Sequence, residues 1–155
     1  MMKTLVISGG AEGIGLATVK QFHEEGYFCC ILDIQKPAIQ LPHTQFYHCD
    51  MANVSAIQET IQQITTQHVH IDALVCNAGV HFSATLHQTP IEEYERVMNI
   101  NFRGAFFLTQ AVLPIMVAQK HGAIVFVGSD QSLIAKPRSA IYAASKAALA
   151  SLAKS

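Results

Sequence analysis

The chain has 155 residues; half of them are apolar, 14% are charged, and the formal net charge is −1. This balance is typical of one globular domain with a hydrophobic core and excludes a disordered or strongly basic chain. Basic residues do not cluster and the apolar runs are short, so we expect neither a nucleic-acid nor a membrane partner.

The cysteines and histidines show no metal-ligand spacing, and we expect no metal site. No C-x-x-C pair occurs, so we expect reduced, buried thiols. The cysteines are Cys29, Cys30, Cys49 and Cys76. The apolar stretch that follows Thr4 is too short for the core of a signal peptide, and we therefore expect a cytoplasmic location.

Strand-like and helix-like segments alternate along the whole chain. Short apolar runs predict strands at 4–8 (TLVIS), 28–33 (FCCILD), 45–49 (QFYHC), 73–76 (ALVC) and 123–127 (AIVFV). Periodic apolar residues predict helices over 14–26, 54–64, 92–120 and from Ser139 to the end. Strands that are apolar on both faces and separated by helices predict a parallel sheet with helices on both sides, an open α/β fold.

The long predicted helix over 92–120 carries two local signals. Thr89 is expected to cap its start and Pro90 to occupy its first position, a combination that favours helix initiation. Pro114 lies inside the same segment and is expected to bend it, because proline lacks the N–H that the helix uses.

A glycine-rich loop, SGGAEGIG at 8–15, follows the first predicted strand. Glycines allow a tight turn and let backbone N–H groups approach a pyrophosphate, and the start of the next helix adds further donors. A glycine cluster alone fits a structural turn equally well. Asp33 ends the second strand, where a carboxylate can bind the adenosine ribose hydroxyls of NAD and repel the 2′-phosphate of NADP.

Tyr142 and Lys146 are four residues apart in a predicted helix and therefore share a face. An ammonium group beside a phenol stabilises the phenolate, which can then exchange a proton with a ketone or an alcohol. Ser129 follows the fifth strand, at the edge of the sheet where open α/β folds bind ligands. The same pair on a packing face would be purely structural, so the spacing alone leaves both interpretations open.

Together these motifs resemble the ordered motif set of the short-chain dehydrogenase/reductase family. The motifs are SGGAEGIG, Asp33, Asp50, CNAG at 76–79, Asn101 within NINFRG, Ser129 and YAASK at 142–146. The resemblance covers essentially the whole chain. It implies a Rossmann-like, doubly wound α/β fold of strand order 3-2-1-4-5. Residues 1–155 would form a single NAD(P)-binding domain, C-terminally incomplete and truncated after about five strands.

The resemblance also implies roles for individual residues. The cofactor, NAD, would be bound by Gly9, Gly13, Ile14 and Gly15 at the pyrophosphate, Asp33 at the ribose, Asp50 at the adenine amino group, and Asn77, Ala78 and Gly79 after strand four. Tyr142 would be the catalytic acid/base, and Lys146 would bind the nicotinamide ribose and tune Tyr142. Ser129 would hold the substrate oxygen, and Asn101 the water that links Lys146 to solvent.

The implied activity is NAD-dependent hydride transfer with a secondary alcohol or ketone, a small-molecule substrate. His81, Phe82, Asp130 and Gln131 are candidate substrate contacts because they follow strand ends, although His81 fits a solvated loop better. Family members commonly dimerise through the long helices that begin here near Glu92 and Ser139, so we expect a homo-oligomer. The alternative is a truncated, non-catalytic NAD-binding or interaction module.

Overall fold

Five parallel strands form the centre of the computed structural model, which describes residues 2–134 and 136–155. They are β1 (Thr4–Ser8), β2 (Phe28–Asp33), β3 (Thr44–His48), β4 (Ala73–Cys76) and β5 (Ala123–Phe126). Their order is β3-β2-β1-β4-β5, and every neighbouring pair is parallel. The predicted Rossmann-like α/β fold and its strand order are therefore confirmed.

Within residues 2–134 and 136–155 the α-helices are α1 (Gly13–Glu24), α2 (Val54–Gln67), α3 (Ile91–Met98), α4 (Ala105–Gln119) and α5 (Ala140–Leu152). Short 3-10 turns lie at Leu86–Gln88 and Asp130–Ser132. α2 begins at Asn53, whose side chain accepts a hydrogen bond from the Ala56 N–H at 3.1 Å. Such a cap satisfies one of the backbone donors that a helix start leaves free.

The sheet is buried on both faces, which explains why its strands are continuously apolar. β1 shows this alternation: Val6 belongs to the cluster that includes α2 and α4, while Leu5 and Ile7 belong to the cluster that includes α1. All three side chains are fully buried, and each contributes about 1.5–3 kcal/mol relative to an exposed position. Because all neighbouring strands are parallel, their carboxyl ends lie along one edge of the sheet.

The long predicted helix over 92–120 departs from the expectation in three places. Its start is not capped by Thr89, whose hydroxyl donates to the Thr85 carbonyl at 3.0 Å, and Pro90 precedes the first helical residue, Ile91. The regular helix is interrupted by a π-helical turn at Asn99–Gly104 and not at Pro114, which lies inside the continuous α4. Pro114 and Gln110 are both exposed, so solvent can reach the carbonyl that loses its helical partner.

The expectation that no apolar segment reaches membrane-spanning length also needs correction. Among the described residues, the continuous helical segment Ile91–Gln119 is long and apolar enough to cross a membrane by length and composition. A core helix of a globular fold passes the same test. Here Leu108, Val112 and Met116 are buried in the cluster beneath α4, so this segment is a layer of the α/β fold.

The π-helical turn depends on a glycine at its last residue. A Cβ on Gly104 would lie 2.5 Å from the carbonyl oxygen of Met51, in the loop after β3. Only a residue without a Cβ therefore lets the segment pack this closely against the core.

We predict that Gly104→Ala lowers the free energy of unfolding by about 1–3 kcal/mol, because the loop and the helix must separate. Urea unfolding followed by circular dichroism measures this. Ser151→Ala, on the exposed face of α5, is the control and should change stability by less than about 0.5 kcal/mol. Equal stability of Gly104→Ala and the wild-type chain would contradict the packing described here.

Candidate active site

A cleft of about 530 Å³ opens at the carboxyl edge of the sheet. On the side of β2 and β3 it is lined by Asp33 and Asp50, and on the side of β4 and β5 by Gly79 and Val127. α5 contributes two side chains to the lining, Tyr142 and Lys146. The structure therefore brings together residues that the sequence places more than a hundred positions apart.

The loop after β1 is held in a closed turn by backbone geometry. Gly9 has φ +69°, in the left-handed region, and its N–H donates to the Leu32 carbonyl at 2.8 Å. A Cβ on Gly15 would lie only 1.9 Å from the Gly9 carbonyl oxygen. Gly13 is different: its φ is +54°, and a Cβ there would meet nothing within 4 Å. Gly13 therefore leaves open space on the cleft side of the loop, beside the start of α1.

Side chains at the end of β1 and just after β4 tie this loop to the segment that follows β4. The Asn77 amide donates to the Gly9 carbonyl oxygen at 2.7 Å. The Ser8 hydroxyl oxygen accepts from the N–H groups of Asn77 and Ala78, each at 3.2 Å. Sequence reasoning did not select Ser8 for the site, since its hydrogen-bond partners lie about 70 positions away.

Asp33 supports the loop as well as lining the cleft. One carboxylate oxygen accepts from the Ala11 N–H and the other from the Gln35 N–H, both at 3.0 Å. The negative charge at the end of β2 is thereby fixed against the glycine loop. Asp50 also lines the cleft, with one carboxylate oxygen accepting from the Ala52 N–H at 2.8 Å.

Asn101 lies within the π-helical turn and is fully buried. Its amide nitrogen donates to the Val80 carbonyl at 2.9 Å and to the Ser145 hydroxyl at 3.0 Å, while its oxygen accepts from the Val80 N–H at 2.7 Å. Ser145 in turn donates to the Tyr142 carbonyl at 2.8 Å. These bonds join the segment after β4 to α5, and Ser145 is a second residue that sequence reasoning missed.

Lys146 is 4% exposed, and its ammonium nitrogen donates to the Val127 carbonyl at 2.7 Å. The nitrogen lies 5.9 Å from the centre of the Tyr142 ring. Burial disfavours the charged form and lowers the pKa of Lys146 below its ordinary value. Tyr142 and Lys146, which the sequence predicts to share a helix face, therefore lie close together in one cleft.

Ser129 does not line the cleft that holds Tyr142 and Lys146, although its neighbour Gly128 does. The Ser129 hydroxyl donates to an Asp130 carboxylate oxygen and accepts from the Gln131 N–H, both at 3.1 Å. Asp130 also binds Lys136 at 2.6 Å, and the hydrogen bonds from Lys136 and Ser129 lower the pKa of its carboxyl group. Neither Asp130 nor Gln131 lines the cleft, and nor does Phe82, whereas His81 does.

The four cysteines are buried and free, as expected. Burial raises the pKa of Cys30 and of Cys76 to about 12. Thiols with such pKa values stay protonated near neutral pH and are poor nucleophiles. Cys76, at the end of β4, is therefore a packing residue rather than a reactive group.

A parallel sheet of this order, with a glycine turn after β1 and a cleft at its carboxyl edge, defines a Rossmann-like nucleotide-binding fold. The family model described as short chain dehydrogenase matches residues 3–155. The chain therefore belongs to the short-chain dehydrogenase/reductase family, as its motifs indicated.

Individual relatives agree with this assignment. The chain is 36% identical to sorbitol-6-phosphate 2-dehydrogenase of Klebsiella pneumoniae, over 97% of this chain and 61% of that protein. The ligand-free structure of Thermoplasma acidophilum aldohexose dehydrogenase superposes with a TM-score of 0.94 at 26% identity, covering 99% of this chain and 59% of that one. ElxO with NADP bound gives a TM-score of 0.92 at 28% identity, covering 98% and 65%. The chain thus spans 59–65% of the length of these three proteins.

Burial of Lys146 makes a testable prediction about pH. Its folded pKa is lowered, so between that pKa and the ordinary lysine value of about 10.4 the unfolded chain binds one more proton than the folded chain. Stability from this group therefore rises with pH through that window. We expect the chain with Lys146 to gain stability relative to Lys146→Met as the pH is raised towards 10.

The measurement is urea unfolding of both proteins at several pH values. Both proteins carry Tyr142→Phe, because Tyr142 adjoins Lys146 and would not contribute equally to the two; the remaining tyrosine and cysteine groups are common to both proteins and cancel in the difference. A difference that stays constant, or that moves against the chain with Lys146 as pH rises, would show that Lys146 is not buried as a charged group.

Proposed function

We propose that this chain is the NAD-binding and proton-transferring part of an oxidoreductase that interconverts a secondary alcohol and a ketone. In this proposal residues 1–155 act as a single NAD(P)-binding domain. The observation that carries it is the buried Lys146 ammonium, 5.9 Å from the ring centre of Tyr142 in the cleft that the glycine loop also lines. A site for binding alone has no need of a proton-transfer pair.

The residues of the cleft fit a nicotinamide dinucleotide. The glycine loop and the start of α1 offer backbone donors and a positive partial charge to a pyrophosphate, and Gly13 leaves open space beside them. Asp33 would accept hydrogen bonds from the adenosine ribose, Asp50 would contact the adenine amino group, and residues 77–79 would line the cofactor beyond β4. Gly9, Ile14 and Gly15 complete the proposed pyrophosphate site.

NAD is favoured over NADP by charge. The Asp33 carboxylate is fixed at the end of β2 by the Ala11 and Gln35 N–H groups, where it would repel a 2′-phosphate. Glu12 also lines the cleft and adds negative charge near the loop. ElxO, a structural relative, is described with NADP bound. The proposed preference of this chain for NAD therefore rests on its own Asp33 and Glu12 and not on that relative.

The bound cofactor would supply the hydride chemistry, and the chain would supply orientation and the proton. Tyr142 would give its phenolic proton to a carbonyl oxygen or take one from an alcohol. Lys146 would hold the nicotinamide ribose and stabilise the phenolate through its positive charge. Ser129 would donate to the substrate oxygen, which requires its hydroxyl to turn away from Asp130. Asn101 already donates both amide hydrogens, so it would hold the proposed relay water through an oxygen.

Two broader features belong to the same proposal. Four buried free thiols suit a reducing compartment, which supports a cytoplasmic location.

α4 presents three exposed apolar residues, Phe106, Leu113 and Val117. Their spacing places them along one stripe of the helix. A second copy of the chain pairing through this stripe would form the expected homo-oligomer.

The cofactor preference gives the first test. We expect the wild-type chain to bind NADH more tightly than NADPH. In Asp33→Asn the charge is lost but an acceptor oxygen remains, and we expect the preference to shrink by about tenfold or more, or roughly 1.4 kcal/mol. Nicotinamide fluorescence titrations with both cofactors measure the ratio.

Asp50→Asn is the matched control, because it makes the same chemical change at the other acidic residue that lines the cleft. It should weaken both cofactors alike and leave their ratio unchanged. A wild-type chain that binds NADPH as tightly as NADH, or an equal change of ratio in both variants, would overturn the role given to Asp33.

The proton-transfer role gives a second test. Tyr142→Phe should lower turnover by about 100-fold or more, because the proton donor is lost, while NADH affinity stays within about threefold. A panel of secondary alcohols and ketones, followed by NADH absorbance, provides the measurement. Tyr94→Phe, at an exposed position on α3, should leave turnover unchanged. NADH binding without turnover of any panel member would instead support the alternative, a non-catalytic binding module.

A further inference from the structure

The start of α5, the helix that carries Tyr142 and Lys146, is built in an unusual way. Ser139 immediately precedes the helix, where a serine side chain ordinarily accepts a hydrogen bond from an N–H of the first turn. Here the Ser139 side chain makes no such bond. Its hydroxyl, on a residue only 4% exposed, instead lies 3.2 Å from Nε2 of His81. A capping interaction is therefore exchanged for a contact with the loop after β4.

Backbone contacts hold that loop against α5. The Ala84 N–H donates to the Arg138 carbonyl at 3.0 Å. Arg138 has φ +60°, in the left-handed region that residues other than glycine seldom adopt. From the other side, the Arg96 guanidinium of α3 donates to the His81 carbonyl at 3.5 Å. These contacts restrict where the His81 backbone lies relative to Tyr142.

The His81 ring meets the Tyr142 ring directly. Their centroids are 4.8 Å apart and their planes cross at 63°, an edge-on arrangement. Aromatic rings favour this geometry because the positive edge of one ring meets the negative face of the other. His81 and Tyr142 both line the cleft, so the ring contact lies at its surface.

We propose that His81 is a positioning residue for Tyr142, acting through the edge-on ring contact and through its hydrogen bond to Ser139 at the start of α5. The inference rests on the proposed function in one respect, that Tyr142 is the group whose position matters for turnover. The ring contact itself is independent of any reaction, so it can be tested separately.

The imidazole ring of His81 lies against the Tyr142 ring, and its ring current shifts the resonances of that ring. The contact therefore has a spectroscopic signature that does not depend on turnover.

The first measurement is nuclear magnetic resonance of the chain with ring-labelled tyrosine. The chain has four tyrosines, and Tyr142→Phe identifies the signal of interest. We expect that signal to move in His81→Ala, which removes the imidazole ring, and to stay in place in His87→Ala, in the exposed 3-10 turn. A Tyr142 signal that is indifferent to His81→Ala would overturn the proposal, whether or not the chain turns over a substrate.

The second measurement is steady-state kinetics. His81→Phe keeps a ring but loses the bond to Ser139, and Ser139→Ala removes the same bond from the other side. We expect each to lower kcat about threefold to tenfold, the value of one hydrogen bond, with KM for NADH unchanged. The double variant should be no slower than either single variant, because one interaction is removed in all three.

Additive losses, or losses confined to KM, would contradict a shared positioning bond. If the wild-type chain shows no turnover with any substrate, the proposed function fails, and the resonance experiment still decides whether His81 positions Tyr142. If turnover is present and the resonance coupling is absent, the proposed function stands and the role of His81 is refuted.

Discussion

At the carboxyl end of β1, a Cβ on Gly15 would lie 1.9 Å from the Gly9 carbonyl oxygen, so the loop closes only with hydrogen at that position. The same carbonyl accepts from Asn77 after β4, and Asp33 at the end of β2 accepts from Ala11 in the loop. One close backbone approach therefore fixes three strand ends relative to each other. The acidic and the glycine-lined parts of the cleft keep their spacing because of it.

A second set of contacts positions Tyr142 and Lys146, the residues proposed to transfer the proton. The π-helical turn at Asn99–Gly104 directs Asn101 inward, where it bonds Val80 on one side and Ser145 on the other. Ser145 lies between Tyr142 and Lys146 in α5, so the helix is held by its own buried face. The position of Tyr142 relative to the glycine loop is thus set by polar contacts as well as by apolar packing.

Local patterns predicted most of the sheet because strands that are buried on both faces are continuously apolar in the sequence. The bounds of β1, β2 and β4 match the apolar runs, and β3 is displaced by one residue. The π-helical turn was not predicted, because the close approach of Gly104 to Met51 that accompanies it joins segments far apart in the chain. Pro114, expected to bend the helix, lies inside the continuous α4. Ser8, Ser145 and the contact between His81 and Ser139 depend on residues far apart in the chain, which only the folded structure brings together.

Lys146 shows that the site is not arranged for stability alone. Burying an ammonium group carries a desolvation cost, and the lowered pKa of Lys146 reflects it. Within the part of the chain described, its hydrogen-bond acceptor is the Val127 carbonyl rather than a carboxylate, so no buried opposite charge offsets that cost. An apolar side chain of similar length would fill the same space without it. A cation at such a position, 5.9 Å from the centre of the Tyr142 ring, supports the proposed role of Lys146 in tuning Tyr142 more than a role in folding.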